Sequence, residues 1–195
     1  YLKHGSEVFV PTAELFRRPA SVEFKGVGKL DIYPNRDSIS YIDIYGIPEV
    51  QTMMRGTFRY PGWCETLDAI KQLNLISYDK SDMSGMTYAQ LLMHQIGADT
   101  ADHLRNKVAA YLGVDVNAHA LDALEWLGLF ENKPMNRGME SPFEVTSDLM
   151  IAKMELGYDE RDMVAMQHTF LAEYPDGKKE IIRSRMLDFG SPSTD

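Results

Sequence analysis

Hydrophobic and polar positions follow two different periods along the chain. Residues 7–60 and 162–189 contain short runs in which the two kinds of side chain alternate, as in residues 21–25, and this pattern is typical of half-buried strands. Residues 63–156 instead repeat apolar side chains every three or four positions, which predicts helices. The predicted order is therefore strands, helices, strands.

Turn and capping residues predict where several elements begin and end. Residues 174–178 place Asp-Gly between two alternating runs, which predicts a β-hairpin. Thr87 with Gln90, and Ser141 with Glu144, are capping pairs that predict helix starts. Other predicted limits rest on weaker signals: helix starts at Asp99 or Thr100 and at Asn117, helix ends at Gly97, Gly113 and Gly157, and one strand over residues 52–60.

These elements predict an α+β fold, in which a mixed or antiparallel β-sheet domain carries an inserted helical subdomain. We expect residues 1–62 and 160–195 to form the sheet domain and residues 63–159 to form the helical subdomain. Neither a Gly-x-Gly-x-x-Gly fingerprint nor a Walker-type phosphate loop occurs in the sequence. A complete Rossmann domain is therefore not expected in this chain.

Charge and cysteine content narrow the classes of partner. The chain of 195 residues carries 20 Lys and Arg against 29 Asp and Glu, a net charge of −9, which argues against nucleic acid and against an anionic membrane surface. Cys64 is the single cysteine, so an intrachain disulfide is impossible. No apolar run approaches the length of a membrane span. We expect a soluble, cytoplasmic protein.

The first candidate motif is Tyr-Pro-Asn-Arg-Asp-Ser at residues 33–38. The guanidinium of Arg36 is a planar fork that binds a carboxylate through two hydrogen bonds, and Asn35 offers both a donor and an acceptor. Asp37 can orient Arg36 or receive an ammonium group. The alternative is a plain turn, in which Asp37 or Ser38 caps the residues that follow.

The second candidate motif is Arg-Gly-Thr-Phe-Arg-Tyr at residues 55–60. Gly56 permits close approach of a ligand to the backbone, and Thr57 adds a hydroxyl. Arg55, Thr57 and Arg59 share a face on a regular strand, and burying them without an anionic partner would be costly. The alternative is that this face lies in water.

Metal and nucleophile signals are weak. Asp115, His119 and Asp122 fall near helical spacing, but two carboxylates and one imidazole without a further ligand are more typical of a solvated helix face. Cys64 has no base near it in sequence, and we expect a small buried thiol. We therefore predict no metal ligand and no catalytic residue in this chain.

Several segments, taken together, resemble one family. Residues 33–38, 45–48, 54–62, 123–130 and 160–164 are similar, in the same order and over nearly the whole chain, to saccharopine dehydrogenase of the L-glutamate-forming (saccharopine reductase) type. The resemblance implies an oxidoreductase of lysine metabolism that interconverts saccharopine with aminoadipate semialdehyde and glutamate, using NADP(H) or NAD(H). Alternatives remain: a paralogue that acts on another amino acid or imine, and a non-enzymatic dimerisation module.

The resemblance also implies which domains of the full-length protein this chain contains. Full-length members have a Rossmann domain, a second domain that binds substrate and supports dimers, and a small helical domain, and the chain corresponds to the last two. Its implied partners are saccharopine or a similar amino acid, a second copy in a homodimer, and the Rossmann domain of its own chain. We expect no turnover from this chain alone.

Substrate-binding residues are carried over from the family's two motifs. The arginine of Pro-Asn-Arg-Asp and the Gly-Thr-(Leu/Phe) segment contact saccharopine in the family. This implies substrate-binding roles for Arg36, Gly56, Thr57 and Phe58, and the flanking Asn35 and Arg55 complete the candidates. No residue is assigned to the cofactor, since the nucleotide-binding segment lies in the Rossmann domain.

Overall fold

The described part of the chain, residues 1–191 of the computed structural model, contains nine strands and six α-helices. The strands are β1 (Leu2–Lys3), β2 (Ser6–Glu7), β3 (Ala20–Phe24), β4 (Gly28–Pro34), β5 (Gly56–Arg59), β6 (Ser81–Asp82), β7 (Met139–Glu140), β8 (Met163–Glu173) and β9 (Lys179–Phe189). The helices are α1 (Ser40–Tyr45), α2 (Trp63–Gln72), α3 (Tyr88–Ile96), α4 (Leu104–Leu112), α5 (His119–Leu127) and α6 (Pro142–Met154). Every strand pair in this part of the chain is antiparallel, and the predicted α+β class is confirmed.

These elements fall into two compact units. The first unit is Tyr1–Lys153, and the second begins at Met154. β8 and β9 pair with each other in a sheet separate from that of β3, β4 and β5. The division into a domain of residues 1–62 with 160–195 and a subdomain of residues 63–159 stays a prediction. No helix within residues 1–191 combines the length and the apolar character needed to cross a lipid bilayer.

The sheet of the first unit has the strand order β3-β4-β5. Its register places Leu30 opposite Val22 and Ile32 opposite Phe58. Because side chains alternate between the two faces of a strand, these residues share one face with Phe24, whose ring is buried. The other face of the sheet carries the polar side chains of the second motif and the residues opposite them on β4. The alternation seen in the sequence therefore separates an apolar face from a polar face.

Helices α2 to α5 supply most of the hydrophobic core of the first unit. α2 packs against α5, and α3 packs against α4. Each leucine-sized side chain that is fully buried contributes about 1.5–3 kcal/mol of transfer free energy. The completely buried members of this core are Leu73, Leu75, Leu92, Val108, Leu121, Leu124 and Leu129.

The two predicted capping pairs are confirmed. The N–H of Gln90 donates to Thr87 Oγ1 at 3.2 Å, and the N–H of Thr87 donates to Gln90 Oε1 at 2.9 Å, which closes a capping box before α3. The N–H of Glu144 donates to Ser141 Oγ at 3.3 Å at the start of α6. Gly97 ends α3 with a left-handed φ of 65°, as expected of a glycine stop.

Two predicted helix starts are wrong because the expected caps are used locally. α4 begins later than Asp99 or Thr100, and the hydroxyl of Thr100 instead accepts a hydrogen bond from Lys107 Nζ at 2.8 Å. α5 begins after Asn117, whose N–H donates to Asp115 Oδ1 at 2.8 Å in a short turn. Short polar side chains therefore form other local hydrogen bonds at the two positions where helix starts were predicted.

The stretch predicted as strands and turns also differs in two places. The strand predicted over residues 52–60 is limited to β5, because Met53 pairs with Leu2 and the N–H of Arg55 donates to Ser38 Oγ at 2.9 Å. The short helix α1 was not predicted. Both differences fall within residues 40–55, which connect β4 to β5.

β8 and β9 form the predicted hairpin, with 11 residues in each strand. The turn is closed by the N–H of Tyr174, which donates to the Lys178 carbonyl at 2.8 Å, and Gly177 supplies a φ of 82°. One face of the hairpin, here named the apolar hairpin face, carries exposed side chains from both strands: Val164, Met166, Phe170, Ile182 and Met186. These side chains are between 42% and 56% exposed.

Candidate functional site

The two candidate motifs meet at the end of the β4–β5 pair. Pro34 lies opposite Gly56 in the register, and the N–H of Asn35 donates to the Arg55 carbonyl at 2.9 Å. Ser38, whose side chain is completely buried, accepts the N–H of Arg55 at 2.9 Å. These bonds hold the loop after β4 against the residue before β5, so segments that are distant in sequence form one surface.

Asp37 caps the short helix α1. Its carboxylate accepts the N–H of Ile39 at 2.7 Å and the N–H of Ser40 at 3.3 Å. Hydrogen bonds from Ser40, and then that from Ile39, lower the pKa of Asp37 below its ordinary value. The turn interpretation therefore describes Asp37, and this capping also fixes the direction in which α1 leaves the loop.

Arg36 lies in the same loop with a left-handed backbone. Its φ is 53°, a conformation that costs a residue with a Cβ roughly 1–2 kcal/mol relative to right-handed geometry. Its side chain is exposed, and within residues 1–191 its guanidinium forms no hydrogen bond or ion pair. A strained backbone that presents an unpaired cation is an arrangement often found at ligand sites.

Arg55 is held differently from Arg36. Its guanidinium lies over the ring of Tyr41, with 4.0 Å from Cζ to the ring centroid, and Nη1 donates to the Asp37 carbonyl at 3.4 Å. A guanidinium over an aromatic face is attracted by the ring quadrupole. Arg55 is therefore an exposed cation whose side chain has a preferred position, whereas the neighbouring Arg36 side chain is not held by any such contact within residues 1–191.

Gly56 serves strand pairing in this structure. A Cβ on Gly56 would come within 2.5 Å of Ile32 Cγ1 and within 3.0 Å of the Tyr33 carbonyl oxygen. Real Cβ atoms essentially never come that close to another heavy atom. Close packing of β4 on β5 therefore explains glycine at this position, and a role of Gly56 in substrate binding stays a prediction.

Thr57 and Phe58 lie on opposite faces of β5. Phe58 makes an edge-to-face contact with Phe24 at 5.7 Å between ring centroids, within the apolar face. Thr57 lies opposite Tyr33 on the other face, where it is half-buried. Of the six predicted residues, Asn35, Arg36, Arg55, Gly56 and Thr57 are brought together, and Phe58 supports the sheet from behind.

Aromatic rings cover the rest of the Thr57 face. Tyr33 stacks on Trp63 with 6.0 Å between centroids, and the edge of Phe16 contacts both rings. The guanidinium of Arg59 lies 4.7 Å from the Trp63 ring centroid. Thr57 and Arg59 share this face as predicted, whereas Arg55 precedes the strand and turns toward Tyr41.

The remaining chemical candidates do not join this surface. Cys64 is only 1% exposed, and burial, followed by the nearby charge of Asp31, raises the pKa of its thiol. Cys64 is thus a buried thiol, as predicted. Among residues 1–191 no group of three or more His, Cys, Asp or Glu side chains is placed to hold a metal ion.

A cleft lies in the helical part of the first unit. Its volume is about 560 Å³, and α3, α4 and α5 supply most of its lining, including Arg105. Arg105 is already engaged by Asp122, by Glu125 at 2.6 Å and by the Val116 carbonyl at 2.9 Å. None of the six predicted residues lines this cleft.

Comparison with known proteins decides the family. A family model described as the saccharopine dehydrogenase C-terminal domain matches residues 1–194. The chain belongs to this family. The resemblance that the motifs carried is thereby confirmed over almost the full length of the chain.

Individual relatives agree with this family. The chain is 36% identical over 159 residues to bovine (Bos taurus) mitochondrial alpha-aminoadipic semialdehyde synthase, covering 77% of this chain and 17% of the relative. It is 32% identical over 170 residues to saccharopine dehydrogenase [NADP(+), L-glutamate-forming] of Saccharomyces cerevisiae, covering 81% of this chain and 37% of the relative. The chain thus spans well under half the length of these curated relatives.

A solved structure has the same fold. Apo histidine-tagged saccharopine dehydrogenase (L-Glu forming) from Saccharomyces cerevisiae matches 98% of this chain and 44% of that chain, with a TM-score of 0.85 and 27% identity. The helices and small antiparallel sheets described above are therefore the fold of this C-terminal domain.

Sequence reasoning missed one residue and misjudged another. Tyr41 carried no signal, because its contact with Arg55 depends on the short helix α1 that periodicity did not predict. Ser38 belonged to the first motif, but only the structure shows that its hydroxyl joins the two motifs. The sequence offered only the serine itself, a residue common in turns, and its complete burial is seen only in the structure.

Proposed function

We propose that this chain is the substrate-binding part of a saccharopine dehydrogenase, and that Arg36 binds a carboxylate of saccharopine. Saccharopine is a secondary amine with three carboxylates, so a surface with exposed arginines offers it complementary charge. The observation that carries the proposal is the exposed Arg36 guanidinium, which has no partner within residues 1–191 and stands on a left-handed backbone.

The neighbours of Arg36 add to this complementarity. Arg55 supplies a second guanidinium from the adjacent strand end, and Asn35 and Thr57 supply an amide and a hydroxyl at the same end of the β4–β5 pair. A ligand with several carboxylates and an amine can use all four groups. Phe58 acts indirectly in this proposal, since its ring holds the sheet against Phe24.

The proposed activity of the full-length enzyme is the interconversion of saccharopine with aminoadipate semialdehyde and glutamate, with NADP or NAD as hydride carrier. The name of the yeast relative specifies NADP(+). The sequence has no glycine-rich phosphate loop, and no residue of this chain is proposed to bind the nucleotide. The chain alone is expected to show no turnover.

The test is steady-state kinetics of the full-length protein that carries this chain. Arg36→Met should raise KM for saccharopine about 10- to 150-fold, because losing one charge-assisted pair costs about 1.5–3 kcal/mol. Arg18→Met is the matched control, since Arg18 is also exposed and forms no ion pair within residues 1–191. Its KM should stay within about twofold, a change of less than 0.5 kcal/mol.

The outcomes separate the alternatives. An unchanged KM in Arg36→Met removes Arg36 from the site. Turnover of a smaller secondary amine without turnover of saccharopine identifies a paralogue with another substrate. Absence of any nicotinamide reduction by the full-length protein, together with intact folding, leaves the assembly module as the function.

We also propose that the protein is a homodimer, and the apolar hairpin face supports this. Phe170 lies opposite Ile182 and Met166 lies opposite Met186, so two apolar pairs lie on one exposed face. An isolated two-stranded hairpin is at best marginally stable in water, and covering such pairs would stabilise it. The apolar hairpin face of a second copy of the chain can pack against these side chains and bury them.

Sedimentation equilibrium tests this assembly. The wild-type chain should show twice the mass of one chain, and Phe170→Glu should weaken association by about tenfold or more, since burying one such ring is worth about 1.5–3 kcal/mol. Thr169→Glu, on the opposite hairpin face, is the control. A monomeric wild type would contradict the homodimer and leave the Rossmann domain as the cover.

We propose a cytoplasmic location, supported by a single cysteine that is buried and unpaired. The bovine relative is named as a mitochondrial protein, so a mitochondrial location is the alternative. Fractionation of cells that express the full-length protein distinguishes the two locations.

A further inference from the structure

Tyr41 stands between the two candidate motifs without belonging to either. It is the second residue of α1 and is half-buried. One face of its ring lies 4.0 Å from the Arg55 guanidinium, and its edge contacts Tyr45 at 5.6 Å between centroids. Tyr41 thus supplies an aromatic surface for the Arg55 guanidinium, which also donates to the Asp37 carbonyl at 3.4 Å.

The position of Tyr41 is set by the loop that carries Arg36. The Asp37 carboxylate binds the first N–H groups of α1, and the Ser38 hydroxyl binds the backbone of Arg55. The loop therefore determines both where the ring lies and where the Arg55 side chain begins. An arginine side chain has many rotamers, and a preformed position reduces the entropy lost when a ligand orders it.

We infer that Tyr41 is a positioning residue, which holds the Arg55 guanidinium over its ring so that Arg55 meets a second carboxylate of the ligand while Arg36 meets the first. The inference rests on the proposed function of the same surface. The planar guanidinium keeps its outward N–H groups available when it stacks on a ring, which a hydrogen-bonded clamp to a carboxylate of the protein would not allow.

The test is calorimetric titration of saccharopine into the full-length protein with three substitutions on α1. Tyr41→Leu should weaken binding about two- to fivefold, the range expected for an exposed cation–π contact. Tyr41→Phe keeps the ring and should restore wild-type affinity. Tyr45→Leu is the matched control, because Tyr45 lies on the same helix and contacts Tyr41, and its affinity should not change.

A double-mutant cycle shows whether Tyr41 acts through Arg55. In an Arg55→Met background, Tyr41→Leu should have no further effect on the saccharopine affinity. An effect of Tyr41→Leu that persists in that background, or a Tyr41→Phe variant as weak as Tyr41→Leu, overturns the inference. An unchanged affinity in Tyr41→Leu also overturns it.

Arg36→Met separates this inference from the function on which it rests. Weaker binding in Arg36→Met with unchanged binding in Tyr41→Leu leaves the proposed function in place and removes only the role of Tyr41. No saccharopine binding by the wild-type protein, or unchanged binding in Arg36→Met, overturns the proposed function and the inference together.

Discussion

Replacing Arg36 with glycine should have opposite effects on stability and on ligand binding. The Arg36 side chain makes no hydrogen bond or ion pair within residues 1–191, so its removal loses no such contact there. Glycine adopts a φ of 53° without the cost of about 1–2 kcal/mol that a Cβ incurs. Its greater freedom in the unfolded chain costs roughly 0.5–1 kcal/mol.

The expected net change in the free energy of unfolding is therefore a gain between about zero and 1.5 kcal/mol. Binding of saccharopine should weaken about 10- to 150-fold at the same time, because a charge-assisted pair is lost. Urea unfolding followed by far-ultraviolet circular dichroism measures the first quantity, and calorimetric titration into the full-length protein measures the second.

Arg18→Gly provides the matched comparison. Arg18 is also exposed but is absent from the residues with positive φ, so glycine there brings the entropic cost without relief of strain. This variant should lose about 0.5–1 kcal/mol of stability and keep its affinity. Equal losses of stability in Arg36→Gly and Arg18→Gly, or equal affinities of the two variants, would contradict this prediction.

Three further perturbations test the surroundings of the site. Gly62→Ala should lower the free energy of unfolding, measured with urea, by at least about 1 kcal/mol, because Gly62 has a φ of 93° and an added Cβ would overlap the imidazole of His119. An equal loss in the wild-type and His119→Ala backgrounds would disprove the overlap. Hydrogen bonds from Ser40 lower the pKa of Asp37, so the stabilisation from its carboxylate is complete above the ordinary pKa of about 4 and is lost as pH falls through the lowered value. The stability difference between wild type and Asp37→Asn should accordingly shrink at acid pH, and a difference that does not vary with pH would contradict this. Gly56→Ala should lower stability by about 1–3 kcal/mol, since the Cβ would press on the facing side chain of β4; a thermal melt unchanged from wild type would exclude that contact.

Sequence reasoning succeeded where the determining contacts are local. The capping box of Thr87 and Gln90 and the start at Ser141 depend on hydrogen bonds between residues three positions apart. The Asp-Gly turn of the hairpin is equally local, since Gly177 supplies the required φ within its own turn. Short polar side chains were less reliable as helix caps: the Thr100 hydroxyl binds Lys107, and the carboxylate of Asp115 closes a turn at Asn117.

The candidate site could be predicted only in part for the same reason. The motifs name Arg36 and Arg55, but their adjacency depends on the pairing of β4 with β5 and on the buried hydroxyl of Ser38. The close packing of Gly56 against Ile32 could not be predicted either, since it joins two strands that are distant in sequence. Contacts between distant segments are not encoded in any local pattern, which is why Tyr41 was missed.

The hairpin of β8 and β9 also affects how the chain behaves during synthesis. Its strands are the last described elements to leave the ribosome, and within residues 1–191 they pair only with each other. Open strand edges beside exposed Phe170 and Met166 are a template for pairing with other nascent copies. The side chains proposed to join two finished subunits are therefore also expected to promote aggregation of unfinished copies.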